Sequence, residues 1–359
     1  EFKMQVDSFN PFNLGLTNIH EDNYISFRLS SKITGNNPEN SNINTIINDF
    51  TLKGPKEENK IREFILNANA LERKKILTVT SDFINGHLTG IYSYKTLANS
   101  FKLALQRVMP SLFPSYEVAA TANDFSFDFV INNTTTLTKI FNLPVTVNKM
   151  SLLHGSCNDL HKAFSLSGRL KGIDYGKRKY KHINFSSKID TTTNINEINL
   201  VRAPMPDDSK EFNAANDITI NILAQAANDS LSTNIKWNNL YIPTNKGDVK
   251  IDIALARNTE NNLDVTALLH KGEITQSDTT WQLSPGKVTS SNGTINIDNF
   301  SLQSNSQHVQ IDGNIGKLPE DSLNIDLRHI DMEYMFDIVD FHPVDLGGEV
   351  TGKIHATSL

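Results

Sequence analysis

The chain has 359 residues, a formal net charge of −6 and 38% hydrophobic residues, which excludes a disordered polyelectrolyte and a membrane bundle. It contains no run of about 18 apolar residues that could span a bilayer as a helix, and its acidic balance argues against nucleic acid, which needs a basic face. Its one cysteine, Cys157, cannot form an internal disulfide.

In chain order, Glu1-Phe2-Lys3-Met4 lacks the apolar stretch of a signal peptide. Gly35-Asn36-Asn37-Pro38 reads as a turn, and Glu72-Arg73-Lys74-Lys75 as a solvated hairpin tip. Leu97, Phe101, Leu105, Val108 and Leu112, mostly four apart, predict an amphipathic helix within Tyr94 to Phe113, with Ser93 as its cap and Pro110 near its end. Phe125-Ser-Phe127-Asp-Phe129-Val-Ile131 then alternates with period two, the mark of a strand with one apolar face. Thr134 to Phe141 is a weaker helical candidate. Gly172 to Gly176 reads as a turn, followed by the strand pattern Ile183-Asn-Phe185.

Alternation dominates the second half. It runs through Ile218-Thr-Ile220-Asn-Ile222, Leu231 to Trp237, Val249-Lys-Ile251-Asp-Ile253-Ala-Leu255 and Leu323-Asn-Ile325-Asp-Leu327. Asn228-Asp229-Ser230, Asn258 to Asn262 and Ser291-Asn292-Gly293 supply the turns between strands. Between Ile297 and Phe300 the phase slips by one, which predicts a bulge. Met332 to Val339 is a third short helical candidate, and Ile354 to Leu359 reads as stopping in mid-strand, as in an internal fragment.

These apolar faces need cover, and three short helices are too few to give it. The sheet must cover itself, as sandwiches, as barrels or by folding lengthwise into a trough. No clear linker follows Thr121; Arg202 to Ser209 is the best boundary. The expectation is therefore an all-β fold: a long, curved, mostly antiparallel, one-sided sheet with one or two short amphipathic helices. Its segments are 1–120, ending in the helix, then 121–205 and 206–359.

The stretch most specific to a family begins at Asp278-Thr-Thr-Trp281-Gln-Leu-Ser-Pro285 and runs through Ile295-Asn-Ile297-Asp-Asn-Phe300-Ser-Leu302 to Val309-Gln-Ile311-Asp312-Gly313-Asn-Ile315. It continues in Pro319-Glu-Asp321-Ser-Leu323-Asn-Ile325-Asp-Leu327 and closes at Leu346-Gly347-Gly348-Glu-Val350-Thr-Gly352. Upstream stands Gly86-His-Leu-Thr-Gly90-Ile-Tyr-Ser-Tyr94-Lys-Thr-Leu97. This ordered series resembles TamB-family proteins of the Bacteroidota type, from roughly residue 20 onward, without the family's N-terminal membrane helix or its C-terminal barrel-facing domain.

The resemblance implies a β-trough, akin to AsmA-like bridge proteins, that shields phospholipid acyl chains between the inner and outer membranes. It implies a periplasmic location in a protein anchored to the inner membrane, a TamA/BamA-like barrel partner bound outside this segment, no cofactor and no catalytic residue. The groove-lining set would be Phe125, Phe127, Phe129, Ile218, Ile220, Ile222, Val249, Ile251, Ile253, Leu255, Ile295, Ile297, Phe300, Leu302, Val309, Ile311, Leu323, Ile325 and Leu327. From alternation alone these residues read as an ordinary closed core; the resemblance turns the expectation to an open groove.

Other constellations are weaker. His154, Cys157 and His161 are ligand types whose spacing matches no standard zinc site, and a thiol beside solvated histidines is the plainer reading. Gly176-Lys177-Arg178-Lys179-Tyr180-Lys181-His182 could touch lipid headgroups or nucleic acid but reads first as a hairpin tip. The Leu97–Leu112 helix is either a gate or the lid of a core, the lid being the plainer reading. Two alternative functions remain: a strand-adding scaffold for outer-membrane proteins, and an extracellular adhesin-like module. The second would want clustered Trp and Tyr, whereas Trp237 and Trp281 stand far apart.

Overall fold

Strands form nearly everywhere that side chains alternate. The computed structural model describes residues 1–13, 21–71, 74–112, 121–176, 178–190, 193–203, 218–239, 245–276, 278–331 and 348–357. They comprise β1 (Phe2–Phe9), β2 (Tyr24–Thr34), β3 (Asn42–Lys53), β4 (Glu58–Leu71), β5 (Lys74–Ser81) and β6 (Ile84–Ile91). Helix α1 (Leu97–Val108), β7 (Asp124–Ile131), α2 (Thr135–Phe141), β8 (Val145–Val147), β9 (Ser151–Asn158), β10 (Ala163–Tyr175), β11 (Arg178–Asp190) and β12 (Thr193–Ala203) follow. Then come β13 (Ile218–Ala227), β14 (Ser230–Asn239), β15 (Asn245–Arg257), β16 (Leu263–Leu269), β17 (Gly272–Gln276) and β18 (Thr279–Leu283). The last are β19 (Gly286–Ser291), β20 (Thr294–Ser304), β21 (Gln307–Ile315), β22 (Ser322–Asp331) and β23 (Glu349–Thr357). The pairings among described residues are antiparallel, mostly between sequence neighbours, as short turns dictate.

The chain divides into two compact units. The first holds β1 to β11 and the start of α1, through Ala104; the second holds the rest of α1 and β13 to β23. Among the described residues β1 pairs only with β2, and β23 only with β22, so neither unit closes into a barrel. The fold is thus all-β, antiparallel and open, as expected.

Turn chemistry accounts for the registers. Asn228 and Asp229 both have positive φ and link Ala227 to Ser230, its cross-strand partner. Asn292 and Gly293 do the same between Ser291 and Thr294. These are the primed two-residue turns whose twist matches that of the strands. The expected bulge is present: Ile297 faces Gly313 and Phe300 faces Ile311, so β20 carries one extra residue. Asn299, at φ +57°, absorbs it and donates its N–H to Asp312 at 2.6 Å.

Two sequence expectations need adjustment. The turn after β10 is confined to Tyr175–Arg178, and Gly172 lies within the strand. The inward stripe of α1 contains buried Ser100, Ala104 and Val108 and half-buried Leu97 and Phe101, while Leu105 is exposed. A strict four-residue step drifts around a 3.6-residue helix, so the face passes to Ala104 instead. Pro110 stands just past the end of α1, as expected, and begins a short 3-10 segment, Pro110–Leu112. The helical candidate at 332–339 and most of the boundary at 202–209 lie outside the described residues.

Candidate functional site

In an antiparallel pair, directly opposite residues share a face, so the register shows which side chains the sheet brings together. In the second unit one ladder reads Ala226, Leu231, Ile253, Ala267, Val288, Ile297, Gly313, Leu323 and Ala356. A parallel ladder reads Leu255, Val265, Ser290, Ile295 and Ile315. Ile222, Ile235 and Val249 form another, and Phe300, Ile311, Ile325 and Ile354 a fourth. The predicted set from Ile218 to Leu327 therefore shares one continuous apolar face within this unit.

That face is only partly covered. Ile218, Ile220, Ile222, Val249, Ile251, Ile253, Leu255, Ile297, Phe300, Ile311, Leu323, Ile325 and Leu327 are all half-buried, and Ile295 is 38% exposed. An inward face closed by a second sheet would bury such residues almost completely. Leu302 and Val309 are exceptions, at 6% and 3% exposure, because they pack with Trp281, Leu283 and Ile330 in a closed cluster at one end of the face.

The first unit has the same construction with a different outcome. Its ladder reads Ile33, Ile43, Ala68, Leu77, Leu88, Phe127, Gly155 and Leu166. Here Leu97 and Phe101 of α1 pack against the sheet; the Phe101 ring lies 6.1 Å from Phe125 and 5.7 Å from Phe164. Phe125 and Phe127 fall to 3% and 6% exposure. These two are thus core beneath a helix, while Phe129 beside them is half-buried. The lid reading of the helix fits this packing.

Two polar clusters fix α1 in place. At its start, Glu39 forms an ion pair with Lys75 and accepts hydrogen bonds from Ser93 Oγ at 2.9 Å and Tyr94 N–H at 3.3 Å. Burial pushes the Glu39 carboxyl up, but the bonds from Lys75, Ser93 and Tyr94 outweigh it and hold the pKa at about 2. Lys75 also lies over the Tyr92 and Tyr94 rings. Ser93, the expected cap, accepts from Lys95 N–H at 3.2 Å and so caps the turn leading into the helix.

Beneath the helix, Asp159 is buried. It accepts from Ser100 Oγ at 2.9 Å, Asn123 N–H at 2.9 Å, Thr121 Oγ1 and the Cys157 thiol at 3.3 Å. Burial raises this carboxyl, and the four donors together lower it further than burial raises it. Cys157 is therefore a donor in a core network, and the zinc candidate does not assemble. His154 instead pairs with Asp128 on the solvated face, and among the described residues no group of three His, Cys, Asp or Glu side chains is placed to hold a metal ion.

Glycine and aromatic residues also meet across strands in a way the sequence reading missed. A Cβ on Gly155 would come 2.3 Å from the Phe127 ring, and one on Gly247 would come 2.3 Å from the Trp237 ring. Each ring lies over a bare backbone opposite it, which lets large side chains share a face without splaying the strands. An isolated glycine inside an alternating run was the available signal. Comparison with protein-family models, curated proteins and solved structures gives no match for this chain.

Proposed function

We propose that the half-open apolar face of the second unit shields lipid acyl chains from water, and that the chain is a non-enzymatic segment of a periplasmic lipid conduit. The observation carrying this reading is the ladder from Leu231 to Leu323, apolar or glycine at every strand and buried at none. Each methylene taken fully from water is worth about 0.8 kcal/mol, so a chain of a dozen methylenes covered on one side gains roughly 5 kcal/mol along such a surface. At about 4.8 Å per strand the seven strands from Leu231 to Leu323 extend about 30 Å, as much as the ~30 Å hydrocarbon core of a bilayer. They therefore have room for a whole acyl chain lying across the strands. Apolar contact without a fixed charged pocket would discriminate little between headgroups.

The TamB-like motif series supports placing this face between the inner and outer membranes, with a TamA/BamA-like barrel as partner for the wider protein. The test is native mass spectrometry with lipid extraction on the purified chain. Co-purifying phospholipid that disappears in Ile253→Glu is the expected result. A folded, lipid-free chain would overturn the reading and favour the scaffold alternative, in which an exposed strand edge pairs with a client.

A further inference from the structure

A charged side chain lies at the margin of the second unit's apolar face. Arg257 ends β15, two residues past Leu255 and directly opposite Leu263. Leu255 belongs to the apolar face, and alternation puts Arg257 on the same side. The half-buried Arg257 therefore borders the row Leu255, Val265, Ser290, Ile295 and Ile315. Two residues along the strand, about 7 Å, separate it from that row.

This arginine is bonded differently from others in the chain. Arg28, Arg62 and Arg328 are exposed, and each pairs with a carboxylate, that of Asp49, Asp82 and Asp326 in turn. Arg257 makes no ion pair among the described residues. Its Nη1 donates to the Asn261 carbonyl at 2.6 Å, which ties the side chain to the β15–β16 turn. Nη2 reaches only the Leu112 carbonyl, at 3.4 Å, and Nε is buried without a partner. Asp229, whose carbonyl accepts from Leu255 N–H at 2.8 Å, turns its carboxylate to Ser111 instead, accepting from the N–H at 2.6 Å and from Oγ at 3.0 Å.

Nε and Nη2 form one edge of the planar guanidinium, an edge that takes two oxygens of a phosphate or carboxylate side by side. A cation withdrawn from water without an anion is costly, and so is a buried N–H without an acceptor. One ligand relieves both costs: an anion with two oxygens set on the Nε–Nη2 edge. The apolar rows beside that edge favour an anion that carries hydrocarbon. We infer that Arg257 binds the phosphate of a phospholipid, displacing the Leu112 carbonyl, while the acyl chain lies on the adjoining rows. This assignment rests on the acyl-chain reading of the same face and adds where the headgroup lies. Phosphate is common to phospholipids, so the contact orients the lipid without choosing among headgroups.

The test is a binding titration of the full chain with dioctanoyl-phosphatidylcholine, which is net neutral, beside dioctanoylglycerol, which has the same acyl chains and no phosphate. The phospholipid should bind at least about tenfold more tightly, the worth of a charge-assisted pair. Arg257→Met should bring the phospholipid down to the affinity of the diacylglycerol and leave the diacylglycerol unchanged. Arg257→Lys should restore part of the difference. A circular dichroism spectrum like that of the parent establishes that each variant is folded. Equal affinity of the parent for the two lipids would overturn the inference, whatever the variants do. So would inorganic phosphate or octanoate bound as tightly as the phospholipid, or loss of both lipids in Arg257→Met, the mark of a merely structural arginine. Binding of neither lipid to the parent would overturn the acyl-chain reading itself, and this inference with it.

Discussion

The two units build the same apolar sheet face and treat it differently. In the first, α1 packs over part of the ladder, and Leu88, Phe125 and Phe127 there are buried. In the second, the equivalent stretch from Leu231 to Leu323 is half-buried throughout. Nothing in the strands separates the two cases: both alternate, and both use glycines opposite aromatics. What differs among the described residues is that α1 packs on the first face. A one-sided sheet is thus a neutral platform, and its cover decides whether it is core or surface available to a ligand.

The largest expected effect breaks the covered side. Phe127→Ala should cost about 3–5 kcal/mol in urea unfolding, because a buried ring is lost above a glycine that cannot fill the space. Asp159→Ala should cost about 1–3 kcal/mol by leaving Ser100, Thr121 and the Asn123 N–H without their acceptor.

A pH titration probes how α1 is fastened. The Glu39 carboxyl is held below its ordinary value, so its stabilisation is fully present above about pH 4.5 and is lost as pH falls toward about 2. After allowance for solvent screening the loss should be about 1–2 kcal/mol. The hydrogen-exchange protection factor of α1, taken relative to the intrinsic rate at each pH, should therefore fall across that window in the parent and be already low at neutral pH in Glu39→Gln. A protection factor in α1 that does not change with pH would show that the ion pair does not hold the helix.

The open side should respond less. Ile253→Ala should cost only about 1 kcal/mol, since the side chain is already half in water. Asp252→Lys, on the opposite face, loses the surface pairs with His270 and Lys250 and should cost no more than about 1 kcal/mol. An Ile253→Ala penalty as large as that of Phe127→Ala would mean that the second face is also closed.

Much of this was legible in the sequence because it is local. Period-two runs gave the strands from 218 to 257, Asn-Asp and Asn-Gly gave tight turns, and the one-residue slip between Ile297 and Phe300 gave the bulge. Helix α1 was legible as a helix, but its buried face was misread at Leu105 because spacing was followed in place of angle. The cover over Phe125 and Phe127 was not legible. Alternation tells which side chains share a face, and says nothing of what packs on it. The Glu39–Lys75 pair and the Asp159 network join residues tens of positions apart, which only the strand register brings together.

The most direct test of the contrast is site-specific photo-crosslinking in cells. A photoreactive side chain at Ile253 or Ile297 should capture phospholipid, while one at Asp252 or His87 on the solvated face should not. Capture at Ile253 and Ile297 alone is the predicted result. Equal capture at all four positions, or none at Ile253 and Ile297 in folded protein, would contradict the account.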